Sequence, residues 1–385
     1  MLNDMGQIKL PAAVYFGEGS LQQLPQIVAS EHCHRVAIIS DKGIQAVGLL
    51  DRLLEVLNAC DVQTSVYCDV APEPSYEQVQ STVDWLKAEG TELIVAFGGG
   101  SVMDTAKLCS LLVGSDRTVK DLLNAPASVS KTVRTVMIPT TCGTGSEATC
   151  NAIVLVPEKQ VKIGIVNPSS IADYVILDPE TVRGLPPKAV AATGIDALAH
   201  AVECFTSKKA TVMSDLYARE GARLIFHHIR NAWHNPDDIE AKSNLLLGAF
   251  YGGVSITGSG TTAVHALSYP LGGTYHIPHG VSNAVLFAPV MRFNLLYCTE
   301  RLAQLCSYVY PERVDRPAEE NAKFLVDEIA AIVAELKIPT LAELGINADA
   351  LEGLVQGASE QTRLLVNNPV ALSLDDIRGI YCSLI

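Results

Sequence analysis

"TELIVAFGGGSVMDTAK", residues 91–107, decides how the chain folds. Its first half is an unbroken run of apolar residues, the pattern of a strand covered on both faces. Gly98, Gly99 and Gly100 stop the run, and a helical pattern opens at Ser101. A strand that turns through glycine into a helix is part of a βαβ unit. The flanking sequence repeats the theme. "RVAIIS" (35–40), "TSVYCDV" (64–70) and "TVRTVMIPTT" (132–141) read as strands. "IQAVGLLDRLLEVLNAC" (44–60) and "SYEQVQSTVDWLKAEG" (75–90) read as helices between them. Alternation at this spacing predicts an α/β domain with a parallel, Rossmann-like sheet.

The texture changes near residue 184. "LPPKAVAATGIDALAHAVECF" (185–205) opens with the Pro-Pro of a helix entry, and strand-like runs nearly vanish after it. Long Ala/Leu-rich helical patterns follow at 212–233, 238–256, 317–336 and 348–358. The expected division is therefore an α/β domain over 1–184 and an all-α domain over 185–385.

Composition removes several function classes. The 385 residues carry a formal charge of −14 and are 48% hydrophobic. No Lys/Arg cluster offers a nucleic-acid surface, and no run of apolar residues is long enough for a membrane span. The N-terminus has neither the basic nor the apolar region of a signal peptide. Ten cysteines stand singly, without CxxC, and read as reduced thiols of a cytoplasmic protein.

The glycine turn has a chemical reading. Small residues let a backbone approach a phosphate, and the helix start favours an anion. The alternative is a tight βα turn capped by Ser101. "PTTCGTGSEAT" (139–149) follows the next strand and offers hydroxyls and amides suited to a ribose or phosphate. Ligands of open α/β sheets bind at such strand ends. Asp41 ends the strand in "AIISDK". It suits an adenosine ribose and disfavours a 2′-phosphate, hence NAD rather than NADP; as an alternative it caps the next helix.

The helical half carries a possible metal site. Asp196 and His200 lie four residues apart in "GIDALAHAVECF", on one helical face. "TTAVHALSYPLGGTYHIPHGVSNAV" (261–285) adds His265 in a helical pattern that Pro270 and the Gly272–Gly273 pair should end. Pro278 then sets His279 at a fresh turn. One carboxylate and three imidazoles suit Fe2+, Zn2+ or another first-row divalent ion. The competing reading is a buried Asp–His pair that orients a helix. His32, His34, His227, His228, His234 and His276 are given no chemical role.

At this point the chain resembles the iron-containing (group III) alcohol dehydrogenases along nearly its whole length. "GGGSVMDTAK", "PTTCGTGSEAT", "GIDALAHAVE" and "HALSYPLGGTYHIPHG" carry the likeness, in order and at family-like distances, with "NNPVALSLDDIRGIY" (367–381) as the closing segment. The resemblance implies a dehydroquinate synthase-like architecture: a nucleotide-binding α/β domain, a helical metal-binding domain and a cleft between them. It implies Asp196, His200, His265 and His279 as metal ligands. It implies Gly98, Gly99 and Ser101 as the pyrophosphate loop. Asp41, Asp104, Thr140, Thr141, Thr144, Thr149 and Lys162 follow as further cofactor contacts. Two positions depart from the family pattern. Tyr269 stands where many members have the second histidine of HxxxH, near the nicotinamide and the proton path, which leaves Tyr269, a candidate catalytic residue, or His276 to substitute for it or to be merely structural; Thr257 stands where many have Asn.

The implied activity is metal-dependent, NAD-linked interconversion of a small alcohol with an aldehyde or ketone, by a homo-oligomer that binds neither nucleic acid nor membrane. A branch of the family acting on hydroxy acids or functionalised aldehydes is one alternative. A non-redox lyase of dehydroquinate-synthase type, using NAD and a metal, is another. A metal-dependent hydrolase with structural glycine loops and a non-catalytic binding module complete the alternatives.

Overall fold

The computed structural model describes residues 6–159 and 161–385. It divides into two compact units, one comprising Lys9–Thr141 with Gly145–Gly184, the other Cys142–Thr144 with Leu185–Ile385 and a short N-terminal piece ending at Ile8.

The first unit is built on a six-stranded sheet. Its strands are β1 (Ala13–Phe16), β2 (Arg35–Ile39), β3 (Gln63–Tyr67), β4 (Leu93–Gly98), β5 (Arg134–Pro139) and, after a hairpin, β8 (Tyr174–Leu177). The order is β1-β8-β5-β4-β2-β3 and every pairing is parallel. β4 is buried along its whole length, and β2 and β5 are exposed only at their first residue. That is why these strands read as continuous apolar runs. Helices α1 (Leu24–Glu31), α2 (Lys42–Ala46), α3 (Leu49–Leu57), α4 (Tyr76–Glu89), α5 (Gly100–Leu112) and α6 (Val119–Asn124) accompany the sheet. Leu24, Ile27, Leu53 and Leu57 from α1 and α3 join Val36, Ile38, Leu93 and Val136 in one apolar core. From β2 the chain crosses to β3 on one side, and from β4 to β5 on the other. Strand order therefore reverses between β2 and β4, where open α/β sheets bind ligands.

One expectation needs correction here, and two further features were not expected. The single helix read over 44–60 is two, because Gly48 adopts φ 74° between α2 and α3. β1 and β8 belong to the sheet although their four-residue runs gave no strand signal of their own. Beyond the βαβ alternation lies an antiparallel hairpin, β6 (Asn151–Val156) with β7 (Val161–Val166), pairing Leu155 with Lys162.

Among its described residues the second unit is all helical. Its helices are α7 (Pro187–Thr206), α8 (Val212–His234), α9 (Ile239–Ser259), α10 (Ala263–Tyr275), α11 (His279–Asn294), α12 (Thr299–Val309), α13 (Ala318–Glu335), α14 (Leu351–Ser359), α15 (Thr362–Leu365) and α16 (Leu374–Cys382). α7 is buried on every face from Gly194 to Thr206, as expected of a helix apolar all round. It packs against α8, α9 and α11.

Pro270 does not end its helix: α10 runs through it to Tyr275 and stops at His276, which is left-handed with φ 55°. A proline inside a helix removes one N–H and crowds the preceding turn. Here tertiary packing overrides that cost. The proline ring lies against Gly357 of α14, where an added Cβ would come within 3.0 Å of it. Buried Tyr381 of α16 donates to the Leu267 carbonyl, beside the interrupted step. No described helix is long and apolar enough to cross a membrane.

Candidate metal centre and cofactor loops

Three helices of the second unit contribute to one cluster. α7 supplies Asp196 and His200, α10 supplies His265, and α11 supplies His279 as its first residue. One ligand atom each from Asp196, His265 and His279 lie within 4.8 Å of one another. His265 Nε2 is 3.6 Å, His279 Nε2 3.8 Å and His200 Nε2 3.9 Å from Asp196 Oδ1. His200 stands outside the close trio, its ring stacked on His265 with centroids 4.5 Å apart. Asp196 and His265 are buried, whereas the His279 side chain is 34% exposed, so the cluster opens on the His279 side. Tyr269 lies one turn beyond His265 with its ring edge-on to His279, centroids 6.2 Å apart. His276 is exposed and closes α10.

α7 and α11 meet closely because of a glycine. A Cβ on Gly280, next to His279, would sit 2.6 Å from the Ala192 carbonyl oxygen. Gly280→Ala must therefore push the start of α11 away from Asp196. We expect a stability loss of about 1–3 kcal/mol, the usual range for overpacking. Weaker metal retention should accompany it. Thermal melts and metal analysis of the purified variant check both, and unchanged metal content would show that the helix start tolerates the shift.

The electrostatics suit a cation. Burial alone would raise the Asp196 carboxyl, but the surrounding imidazoles hold it well below the usual carboxylate range. Burial pushes His200 down to about 4, against the opposing Asp196 charge, which leaves a neutral imidazole. Burial also pulls His265 down, yet the Glu203 charge and hydrogen bonds to Asp196 and Glu203 more than offset it, raising it to about 9.

Glu203 was absent from the sequence reading. It is fully buried on α7, one turn past His200, and contacts His265 Nδ1 through Oε2. Its Oε1 accepts from Thr262 N, Thr262 Oγ1 and Val264 N at 3.0, 2.6 and 2.8 Å. A carboxylate behind a ligating imidazole fixes its tautomer and orientation. The signal was present in "DALAHAVE", where positions 196, 200 and 203 share one helical face. Asn283 was also missed. It is fully buried on α11, and its Nδ2 lies 2.6 Å from Asp196 Oδ1. The buried set of one carboxylate and neighbouring imidazoles, converging on one point, fits a divalent cation there.

The first unit holds the proposed cofactor loops. Gly98 ends β4, and a Cβ there would lie 2.6 Å from Val102 Cγ2, so the turn into α5 requires its absence. A Cβ on Gly99 would make ordinary contact with the Thr141 side chain, 3.4 Å from Cγ2 and 3.8 Å from Oγ1. Thr140 N donates to the Gly98 carbonyl, and the buried Thr140 Oγ1 has no partner among the described residues. Asp41 caps α2 by accepting from Ile44 N at 3.0 Å, the alternative weighed for it, and remains at the end of β2 beside the strand reversal. Ser101 Oγ accepts from Glu73 N, and Lys162 pairs with Glu73, so both hold the turn at Glu73. Thr144 falls in the second unit.

Asp104 and Thr149 belong to an internal network centred on the fully buried Lys107. Lys107 Nζ donates to Ser146 Oγ at 2.6 Å, Thr149 Oγ1 at 2.9 Å and the Asn151 carbonyl at 2.6 Å, and pairs with Asp104 at 3.2 Å. Asp104 also accepts from Ser146 Oγ and Ile153 N at 2.5 and 2.9 Å. These two side chains anchor the loop, and their polar atoms are committed within it. Beside them Glu147 is buried, and desolvation, only partly opposed by Lys107, pushes its carboxyl up to about 7.

Comparison with known proteins bears on the whole chain. The family described as iron-containing alcohol dehydrogenase matches residues 11–179, and the C-terminal part of the Fe-containing alcohol dehydrogenase family matches 190–385. The chain is 36% identical over 381 residues to long-chain-alcohol dehydrogenase 1 of Geobacillus thermodenitrificans, covering 98% of this chain and 96% of that protein. Among solved structures, 1,3-propanediol oxidoreductase aligns with a TM-score of 0.93 at 26% identity, over 99% of this chain and 100% of that one. Sulfoacetaldehyde reductase from Bifidobacterium kashiwanohense, solved in complex with NAD+, aligns with a TM-score of 0.90 at 26% identity, over 99% of each chain.

Proposed function

Because this chain belongs to the iron-containing alcohol dehydrogenase family, we propose that it interconverts an alcohol with an aldehyde or ketone by hydride exchange with NAD. The proposal includes one divalent cation, Fe2+ or Zn2+, held by Asp196, His265 and His279 with His200 alongside. The observation that carries it is the convergence of Asp196, His265 and His279 on one buried point, backed by Glu203.

A cation held there supplies Lewis-acid chemistry, making an alcohol hydroxyl acidic enough to lose its proton near neutral pH. The protein's residues do the rest. Asp196 contributes the negative charge, and the imidazoles would contribute lone pairs, His265 giving up its Nε2 proton as the cation enters. Glu203 keeps the His265 lone pair on Nε2 by holding the proton on Nδ1. The exposed edge at His279 admits the substrate, and we place Tyr269 at that edge, beside the path of the departing proton. Gly98, Gly99, Thr140 and Thr141 offer backbone and hydroxyl donors for the dinucleotide at the strand reversal, and Asp41 supports NAD over NADP. Oxidation removes a hydride from the carbinol carbon and a proton from its hydroxyl, and a dinucleotide held by these loops would supply the hydride acceptor.

The single cysteines support a reducing, cytoplasmic setting, and assembly of several copies forms part of the same proposal, to be tested by light scattering. For the reaction, metal-stripped protein is reloaded with Fe2+ or Zn2+ and offered a panel of alcohols with NAD. Net formation of reduced nicotinamide is expected, and it separates a dehydrogenase from a lyase that uses NAD only transiently. NAD should also raise the melting temperature, since a ligand of the native state stabilises it. Absence of both effects across the panel would refute the proposal.

A further inference from the structure

Asn283 lies one turn beyond His279 on α11 and is fully buried. Its carboxamide nitrogen is 2.6 Å from Asp196 Oδ1, 3.1 Å from His279 Nε2 and 3.2 Å from His265 Nε2. A carboxamide nitrogen carries two hydrogens. Three side-chain atoms of the cluster converge on one carboxamide nitrogen. At the other end of the amide, Oδ1 is buried without a hydrogen-bond partner among the described residues. The acceptor end does not set Asn283 apart, since the buried Asn367 Oδ1 also lacks a partner among the described residues; its donor end does. Asn283 spends its donor end on the three atoms that would grip a cation.

We propose that Asn283 is a placeholder for the metal. In the metal-free enzyme its amide hydrogens, the positive end of a neutral dipole, stand in for the cation. They keep Asp196, His265 and His279 within the 4.8 Å span of a metal site. The amide nitrogen and a cation compete for the same lone pairs, so metal entry requires the side chain to turn away. The apparent metal affinity is then lowered by the fraction of protein in which the amide holds the site, the cost of any binding-competent state that is only partly populated. The inference rests on the metal site proposed above, and it adds that loading is gated from within the site.

The test is a Co2+ titration of metal-stripped full-length protein, read by visible absorption of the bound ion and by thermal melts without and with the metal. Three proteins are compared: wild type, Asn283→Ala and Asn283→Asp. Asn283→Ala is expected to melt at a lower temperature than wild type when metal-free, and to bind Co2+ about tenfold or more tightly, since the competing state is gone. Asn283→Asp puts a second carboxylate against Asp196, so its metal-free melt should be the lowest of the three and its gain on loading the largest. A variant that folds only with Co2+ present supports the proposal in the same way. Unchanged or weaker Co2+ binding by Asn283→Ala, or a metal-free Asn283→Asp as stable as wild type, would overturn it. Wild type that takes up no Co2+ would instead remove the metal site itself, so the two failures are distinguishable.

Discussion

Replacing His265 with Ala is expected to abolish metal retention and turnover together while NAD still binds. His265 is the side chain on which the centre turns. Its Nε2 faces Asp196 at 3.6 Å, its ring stacks on His200, and Glu203 fixes its other nitrogen. Altering a partner behind a metal ligand typically costs about 10–100-fold in metal affinity or activity. Losing the ligand itself should exceed that and bring turnover below about one-hundredth of wild type. Gly98, Gly99, Thr140 and Thr141 belong to the other compact unit, and none of them is a residue of the cluster. NAD should therefore still raise the melting temperature of the variant. Elemental analysis, turnover and NAD-dependent melts on one preparation give all three values. Full activity in a metal-free variant would sink the mechanism.

Glu203→Gln should produce nearly as large a loss without touching a ligand. The amide oxygen of glutamine can still accept from Thr262 and Val264, so the α7–α10 contact survives. Its amide group then donates toward His265 Nδ1, where wild type presents a carboxylate acceptor. The imidazole is forced to hold its proton on Nε2, the nitrogen that faces Asp196. That tautomer has no lone pair for a metal, as when a carboxylate behind a catalytic histidine is made an amide. A fall of about 10–100-fold in metal affinity is expected. Circular dichroism should stay close to wild type. Glu203→Asp, which keeps the acceptor, should recover part of the loss. Normal metal binding by Glu203→Gln would show that the tautomer is not fixed from this side.

Much of this molecule was legible from local pattern, and the gaps have physical causes. β4 and its glycine turn were readable because a strand buried on both faces has no alternation to blur it. β8 is equally buried, but four residues are too short to stand out from a loop. The break at Gly48 was hidden by apolar spacing that continues across it. Pro270 misled because its tolerance depends on Gly357, a contact remote in sequence. Asp196, His200, His265 and His279 could be nominated from residue type and spacing. Glu203 and Asn283 were passed over because each lies in an apolar helical stretch that reads as core, and only three-dimensional packing shows what their polar ends face. The commitments of Asp104 and Thr149 were equally invisible, since they depend on Lys107 reaching a segment some forty residues on.

That Lys107 network has a kinetic consequence. The Ser146–Asn151 segment is fastened to α5 by one ammonium group that donates to three of its residues and pairs with Asp104 of α5 itself. The entropy of ordering this stretch is settled during folding and is not charged again at each encounter. Dinucleotide capture should then be a single diffusive docking step without slow loop closure, and release should be governed by contacts broken, not by a segment unravelling.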